Sequence, residues 1–257
     1  MKVLISGLAG HMGQEVARLV LGGYRGAVAF AGVDRVAPAD PAIPCFASFR
    51  EAPANADVIV DFSHPSVLEE LLDFAVANRI PAVLATTGYT PAQRKQIADA
   101  AQMIPIFYAA NYSLGVALLI ELAKQTAATF PEAEIEIIEK HHDRKVDAPS
   151  GTALAIADAI REVRPDATVH AGRSGTGKRT PGEIGIHAIR MGNIVGEHEV
   201  LIGTGTQTVT LKHEAHSRAL FAEGALCAAA FLIGQKPGLY NMKSMLSNQS
   251  EKELVTP

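Results

Sequence analysis

The sequence has few cysteines, no long apolar run and no large surplus of charge of one sign, and each shortage removes a class of protein. Cys45 and Cys227 are the two cysteines of 257 residues and lie far apart. A disulfide framework is therefore not expected, and a reducing compartment fits the chain. The start, MKVLISGLAGHMG, has neither the basic flank nor the apolar core of a signal peptide. No stretch is apolar for long enough to span a bilayer. The formal charge of -4 gives no reason to expect nucleic acid or an anionic membrane as a partner. No internal repeat or low-complexity tract occurs. The expectation is a soluble, cytoplasmic protein.

What is present is globular: 48% apolar and 19% charged residues. Short apolar strands, KVLIS (2–6), AVAFAGVD (27–34), ADVIVDFS (56–63), PAVLATTG (81–88) and IPIFYAAN (104–111), alternate with helical patterns at about 12–21, 67–79 and 91–103. Nearly continuous apolar strands of this kind predict a parallel sheet covered on both faces. After about residue 130 the period changes: AEIEIIE, TVTLKHEAH (208–216) and parts of 182–203 alternate. Alternation predicts an antiparallel sheet with one buried face, although residues 150–162 have a helical pattern. The fold class is thus α/β, a Rossmann-like parallel-sheet domain followed by an α+β domain on a mixed or antiparallel sheet. The helical pattern 217–234 is expected to return to the first domain, placing 1–112 plus 220–257 in it and 113–219 in the second domain. The polar tail NQSEKELVTP (248–257) is expected to fray.

GLAGHMG (7–13) is G-x-x-G-x-x-G between the first strand and the first helix. Glycines there permit a tight turn and let backbone N–H groups approach a pyrophosphate at a helix N-terminus. Alone, the motif also describes an ordinary strand–helix turn. Asp34, at the end of the second strand, is placed to accept hydrogen bonds from an adenosine ribose. Arg35 follows it and suits a 2′-phosphate, so the pair is compatible with NADH or NADPH. Ala85-Thr86-Thr87-Gly88 and Ala109-Ala110-Asn111-Tyr112-Ser113 end later strands and suit a nicotinamide and its ribose.

The segment EIIEKHHDRKVDAPSGTALAIA (136–157) crowds Lys140, His141, His142, Arg144 and Lys145 in front of a helix. Adjacent histidines point apart in an extended chain and no cysteine pair completes a set, so a metal site is not expected. A solvated charged turn is the bland alternative. Against it, Ser150 reads as an N-cap with the N–H groups of Gly151 and Thr152 inside the helix start, a pocket suited to a carboxylate. His141 and Lys145 are four residues apart and share a side of either a helix or a strand. Together they could supply a proton to the carbanion-like or enamine-like centre that hydride delivery to an unsaturated carbon creates.

These stretches, with DFSHP, ATTGY, AANYSLGV, IEIIEKHHDRKVDAPSGTAL and GEIGIHAIRMGNIVGEHEV, resemble 4-hydroxy-tetrahydrodipicolinate reductase, also called dihydrodipicolinate reductase, from the first strand to about residue 240. The resemblance implies NADH- or NADPH-dependent reduction of a cyclic dicarboxylate in the diaminopimelate route to lysine, by a homotetramer assembled through the second sheet. It implies that His141 and Lys145 are the catalytic pair. His142, Ser150, Gly151 and Thr152 would hold substrate, and Thr87 would face both ligands. Gly7, Leu8, Ala9, Gly10, His11, Met12, Asp34, Arg35, Ala85, Thr86, Thr87, Ala109, Ala110, Asn111 and Tyr112 would contact the cofactor, with closure between the domains bringing nicotinamide to substrate. Ala85 stands where many members have glycine, His11 where arginine or lysine is frequent, and Cys227 where some have arginine. The competing readings are a dehydrogenase of another small dicarboxylate and a nucleotide sensor without catalysis. A substrate screen separates the first, and steady turnover excludes the second.

Overall fold

The computed structural model describes residues 1–38 and 42–253. It divides into two compact units, Met1–Ser113 with Ala219–Pro257, and Leu114–Arg218.

The first unit opens with β1 (Lys2–Ser6), α1 (His11–Leu21), β2 (Val28–Val33), β3 (Cys45–Phe46), β4 (Val58–Asp61), α2 (Leu68–Asn78), β5 (Ala82–Leu84), α3 (Pro91–Ala100) and β6 (Pro105–Tyr108). Helix boundaries follow local chemistry. Thr90 caps α3 by accepting from the Gln93 N–H, Gln93 returns the bond to the Thr90 N–H, and Pro91 occupies the first turn. Leu4, Ile59, Leu84 and Ile106 face Leu68 and Leu71 of α2 and Ile97 of α3 in one core.

The second unit runs through α4 (Leu114–Thr129), β7 (Glu134–His141), α5 (Gly151–Arg161), β8 (Thr168–Ala171), β9 (Glu183–Arg190), β10 (Gly196–Gly203) and β11 (Thr208–Ala215). Its sheet has the order β11-β10-β7-β9-β8. Leu119 and Ala123 of α4 and Ile156 and Ile160 of α5 pack with Ile135, Ile137, Ile184, Ile186, Val200 and Ile202 from three strands. Each fully buried aliphatic side chain of this kind contributes about 1.5–3 kcal/mol. Of the mixed or antiparallel sheet expected, the mixed form is found: β10 pairs antiparallel with β7 and β11, whereas β9 is parallel to β7 and β8. Period-two burial reports one covered face and carries no information on strand direction.

The chain then gives α6 (Ala219–Leu232), β12 (Gly238–Tyr240) and α7 (Met242–Glu253). Helix α6 packs on β4, β5, β6 and α1. The first sheet is parallel throughout, with seven strands in the order β12-β6-β5-β4-β1-β2-β3. The strand β12 lies beyond Pro237, where the sequence pattern had assigned only a helix stop. The expected fraying from Asn248 is replaced by helix as far as Glu253, and residues 254–257 lie outside the described residues. Among the described residues no helix is long and apolar enough to cross a membrane.

Candidate active site

In the first unit the glycine loop is built by close contact. Gly7 has φ +81, and a Cβ there would lie 2.7 Å from the Phe62 carbonyl oxygen. A Cβ on Gly13 would lie 2.0 Å from the Gly7 carbonyl oxygen. Only glycine lets the loop fold back on α1 in this way. Gly10 is the N-cap of α1 and offers no side-chain cap, so the helix start retains unsatisfied donors directed at whatever lies beyond it. Asp34 accepts the Ala9 N–H at Oδ2 (2.9 Å) and the Val36 N–H at Oδ1 (3.2 Å), tying the loop to the end of β2.

A cleft of about 500 Å³ runs along these residues, lined by Ser6, Gly7, Gly10, Asp34, Arg35 and His64 among others. The Ser6 hydroxyl is buried beside it without a hydrogen-bond partner. A backbone cradle that a Cβ would fill, an uncapped helix start and an orphaned hydroxyl fit a dinucleotide. Leu8 is buried against Gly32, whereas His11 is exposed and Met12 half-buried. The loop after β5 holds Ala85 and Thr86 buried, with Thr87 exposed. After β6, Ala110 is exposed and Ala109 and Asn111 are half-buried. Tyr112 is different: its ring is 3% exposed and its hydroxyl donates towards the carbonyls of Leu84 (2.9 Å) and Phe107 (3.2 Å). Its side chain belongs to the core. Cys227 is buried, with its thiol 3.9 Å from the Tyr24 hydroxyl.

Sequence reasoning passed over Asp61. This acid, 1% exposed at the end of β4, accepts Ser63 Oγ (2.5 Å), the Ser63 N–H (3.2 Å) and Tyr89 Oη (3.3 Å). It holds the Phe62–Ser63 turn against Gly7. A charged residue closing a fully buried strand was the available signal.

In the second unit, β7 ends at His141 and the chain turns back, with the Lys145 N–H on the His142 carbonyl (3.2 Å). The two catalytic candidates are thus separated by a turn, neither the helix nor the strand their spacing allowed. The Lys145 ammonium pairs with Asp147 at 2.7 Å, which holds that carboxyl below its usual range. Ser150 caps α5 by accepting the Ala153 N–H (3.2 Å), with Gly151 exposed and Thr152 half-buried in the first turn. Burial, followed by the Arg144 and Arg218 charges, lowers the His142 imidazole.

Behind His141 lies a buried polar cluster. Glu139, 0% exposed, accepts His141 Nδ1 (2.6 Å) and Arg190 Nη1 (2.7 Å) at Oε2, and Arg190 Nη2 (2.7 Å) and the Ser150 N–H (2.9 Å) at Oε1. Burial pushes this carboxyl up, but the four donors outweigh it and bring it down to about 2. His198 on β10 packs edge-on to His141 with ring centroids 5.1 Å apart, and its Nε2 is 3.1 Å from Ser150 Oγ. Burial, then the His141 charge, lowers the His198 imidazole to about 4. Glu139, Arg190 and His198 were not identified as site residues from the sequence. One signal was available, because Ile135, Ile137, Glu139 and His141 share one phase of β7. An acid on that buried face required partners. No group of histidine, cysteine, aspartate or glutamate among the described residues could hold a metal ion.

A doubly wound sheet with a glycine-cradled helix start, joined to a unit that concentrates proton-carrying groups, defines an oxidoreductase that uses a nicotinamide dinucleotide. Its N-terminal part, residues 1–112, matches the model described as "Dihydrodipicolinate reductase, N-terminus", and residues 115–246 match "Dihydrodipicolinate reductase, C-terminus". The chain therefore belongs to the dihydrodipicolinate reductase family. It is 45% identical over 248 residues to the 4-hydroxy-tetrahydrodipicolinate reductase of Caldanaerobacter subterraneus, covering 95% of this chain and 98% of that one. The protein of the same name from Clostridium novyi is 41% identical over 251 residues, covering 97% and 99%. Among solved structures, the dipicolinate-bound dihydrodipicolinate reductase of Paenisporosarcina sp. TG-14 superposes with a TM-score of 0.79 at 29% identity, over 94% of this chain and 97% of that one.

Proposed function

We propose a division of labour for the family's reaction, in which the first unit holds the nicotinamide cofactor and the second holds the substrate and supplies the proton. The reaction is the reduction of 4-hydroxy-tetrahydrodipicolinate to tetrahydrodipicolinate, with loss of water, in the diaminopimelate route to lysine. When bound, the cofactor supplies hydride. The glycine loop and the start of α1 take its pyrophosphate, and the loops containing Ala85 to Thr87 and Ala109 to Asn111 take its nicotinamide half. Asp34 orients the adenosine ribose of NADH, and Arg35 meets the 2′-phosphate of NADPH.

The observation that carries the reading is the placement of His141, whose Nδ1 shares one carboxylate with the N–H of Ser150, the cap of α5. A proton-carrying ring is thereby fixed beside a helix start suited to a substrate carboxylate. His142 adds a second donor, and Gly151 and Thr152 provide the backbone of the pocket. The proton taken up by the enamine-like carbon next to the one that receives hydride comes from the pair His141 and Lys145. Assembly into a homotetramer through the second sheet is part of the reading, supported by Ile138, Ile189 and Leu201, partly exposed on the face opposite α4 and α5. So is a cytoplasmic location, supported by two free cysteines.

The test is oxidation of NADH and of NADPH, in parallel, with freshly generated 4-hydroxy-tetrahydrodipicolinate. Turnover with either is expected, and the ratio reports whether Asp34 or Arg35 dominates. Lys145→Ala should lower kcat by about 10²-fold or more while leaving cofactor affinity in place. Unchanged turnover in that variant rejects the role of Lys145.

A further inference from the structure

We infer that Glu139 is a positioning residue that fixes the neutral His141 ring as its Nδ1–H tautomer and so makes Nε2 the atom through which His141 acts. This rests on the role of His141 proposed above.

The argument is one of counting donors. A carboxylate has two oxygens and about four lone-pair sites, and accepts only. Three of the four groups around Glu139 cannot be anything but donors: two guanidinium N–H groups of Arg190 and the backbone N–H of Ser150. The fourth is His141 Nδ1, at 2.6 Å from Oε2. Facing an ionised carboxylate, that nitrogen must carry hydrogen, which leaves Nε2 of the neutral ring with its lone pair. The opposite side of the ring keeps its space only because the neighbouring residue is a glycine. Gly196 of β10 lies there, and a Cβ on it would come within 3.1 Å of Nε2.

The charged and titratable groups around the ring agree with this assignment. Glu139 comes from its own strand, Arg190 from β9 and His198 from β10, while Lys145 is close enough for its charge to act on His198. Arg190 neutralises Glu139 and also donates from Nη2 to the Asp147 carbonyl (2.6 Å). The same guanidinium thus connects the carboxylate to the segment that pairs with Lys145. A buried carboxylate with four donors serves stability less economically than a well-packed apolar side chain would. Its use on the face shared by His141 assigns it a task in orientation.

Glu139→Gln separates orientation from packing, because the amide is isosteric but half of it donates. An –NH₂ turned towards Ser150 would oppose a backbone N–H that cannot change. Turned towards His141, it opposes a ring that can move its own proton to Nε2, and because one Arg190 N–H is opposed in either orientation, Ser150 and His141 decide between them. The substitution therefore inverts the tautomer.

The first measurement is the side-chain ¹⁵N spectrum of His141 in the full-length protein at alkaline pH, assigned with His141→Gln. The expected result is a protonated Nδ1 and an unprotonated Nε2. A protonated Nε2 in the unsubstituted protein overturns the proposal, and this outcome is available even if Glu139→Gln does not fold. In Glu139→Gln the two signals should exchange, and kcat should fall about 10²-fold or more while KM moves by less than about threefold. Full kcat in a folded Glu139→Gln also overturns it. His141→Gln, run alongside, keeps the two readings apart. If His141→Gln retains turnover, the role of His141 itself fails. If it loses turnover while Glu139→Gln does not, only the role of Glu139 fails.

Discussion

The glycine loop of the first unit and the basic connection of the second both lead into a helix N-terminus, yet they are made of opposite materials. Before α1 there is almost no side chain at all: Gly10 caps without a side-chain bond, and Gly7 and Gly13 leave space that a single methyl would fill. Before α5 the side chains do the organising: Ser150 supplies the cap and Glu139 holds the Ser150 N–H. Under the proposed function, the difference follows from what each helix start would meet. A pyrophosphate needs several backbone donors brought close, which glycine allows. A small substrate that must also receive a proton needs a ring and a cation held in fixed positions, and only buried, saturated hydrogen bonding fixes them.

The comparison can be broken most forcefully at Arg190. Arg190→Met removes the cation from a buried carboxylate and should destabilise the second unit by about 3–5 kcal/mol, measured by urea unfolding. Cofactor titration of the folded fraction should be little changed. A loss below about 1 kcal/mol would mean that side-chain charge is not what organises the second site.

Acid acts on the same unit with a sign that can be worked out. His198 is lowered to about 4 from 6.5, so between those values the unfolded chain binds the extra proton and stability falls as pH falls. Glu139 is lowered to about 2 from 4.5, so its contribution is present above 4.5 and is lost as pH falls towards 2. Each shift corresponds to about 3 kcal/mol at full extent. Unfolding free energy measured from neutral pH downward should decline in these two overlapping stages, and His198→Phe should reduce the first to what the other lowered imidazoles, His142 and His213, contribute. A decline confined to the lower stage would show that His198 is not held neutral.

The smallest effect on stability is expected at the glycine loop. Gly7→Ala meets both a positive φ and the Phe62 carbonyl, at a cost of about 1–3 kcal/mol. Its larger signature should be a cofactor affinity lower by about tenfold or more, with the second unit's acid profile unchanged. Unaltered binding would show that the loop can reach the same geometry with a side chain at position 7.

The sequence was most legible where the deciding residues are neighbours in the chain. Apolar runs alternating with helical patterns were enough for the parallel sheet, because both of its faces are covered. His141, Lys145 and Ser150 could be singled out because they fall within ten residues of one another. Arg190 and His198 escaped because their partners Glu139 and Ser150 are 51 and 48 residues away, across strands whose pairing alternation does not specify. Helix α4 was missed for a related reason: LGVALLIELAKQTAAT is apolar around much of its circumference, and its stripe is too diffuse to read. Asp61 and Glu139 show a more general lesson. An acid in phase with a buried apolar face marks a hydrogen-bonded network before its partners are known.

The return of the chain to the first sheet also has a consequence for the order of assembly. Unit 2, Leu114–Arg218, is inserted within the sequence of unit 1. During vectorial synthesis its last strand, β11, emerges before α6 can cover β4, β5 and β6, and before β12 can pair with β6. The enclosed unit can close its own core first, while the enclosing one waits with an uncovered sheet face and an unpaired β6 edge. A chain released near residue 218 would thus carry a second unit with its core complete and a first unit whose sheet face and β6 edge are still open to chaperones.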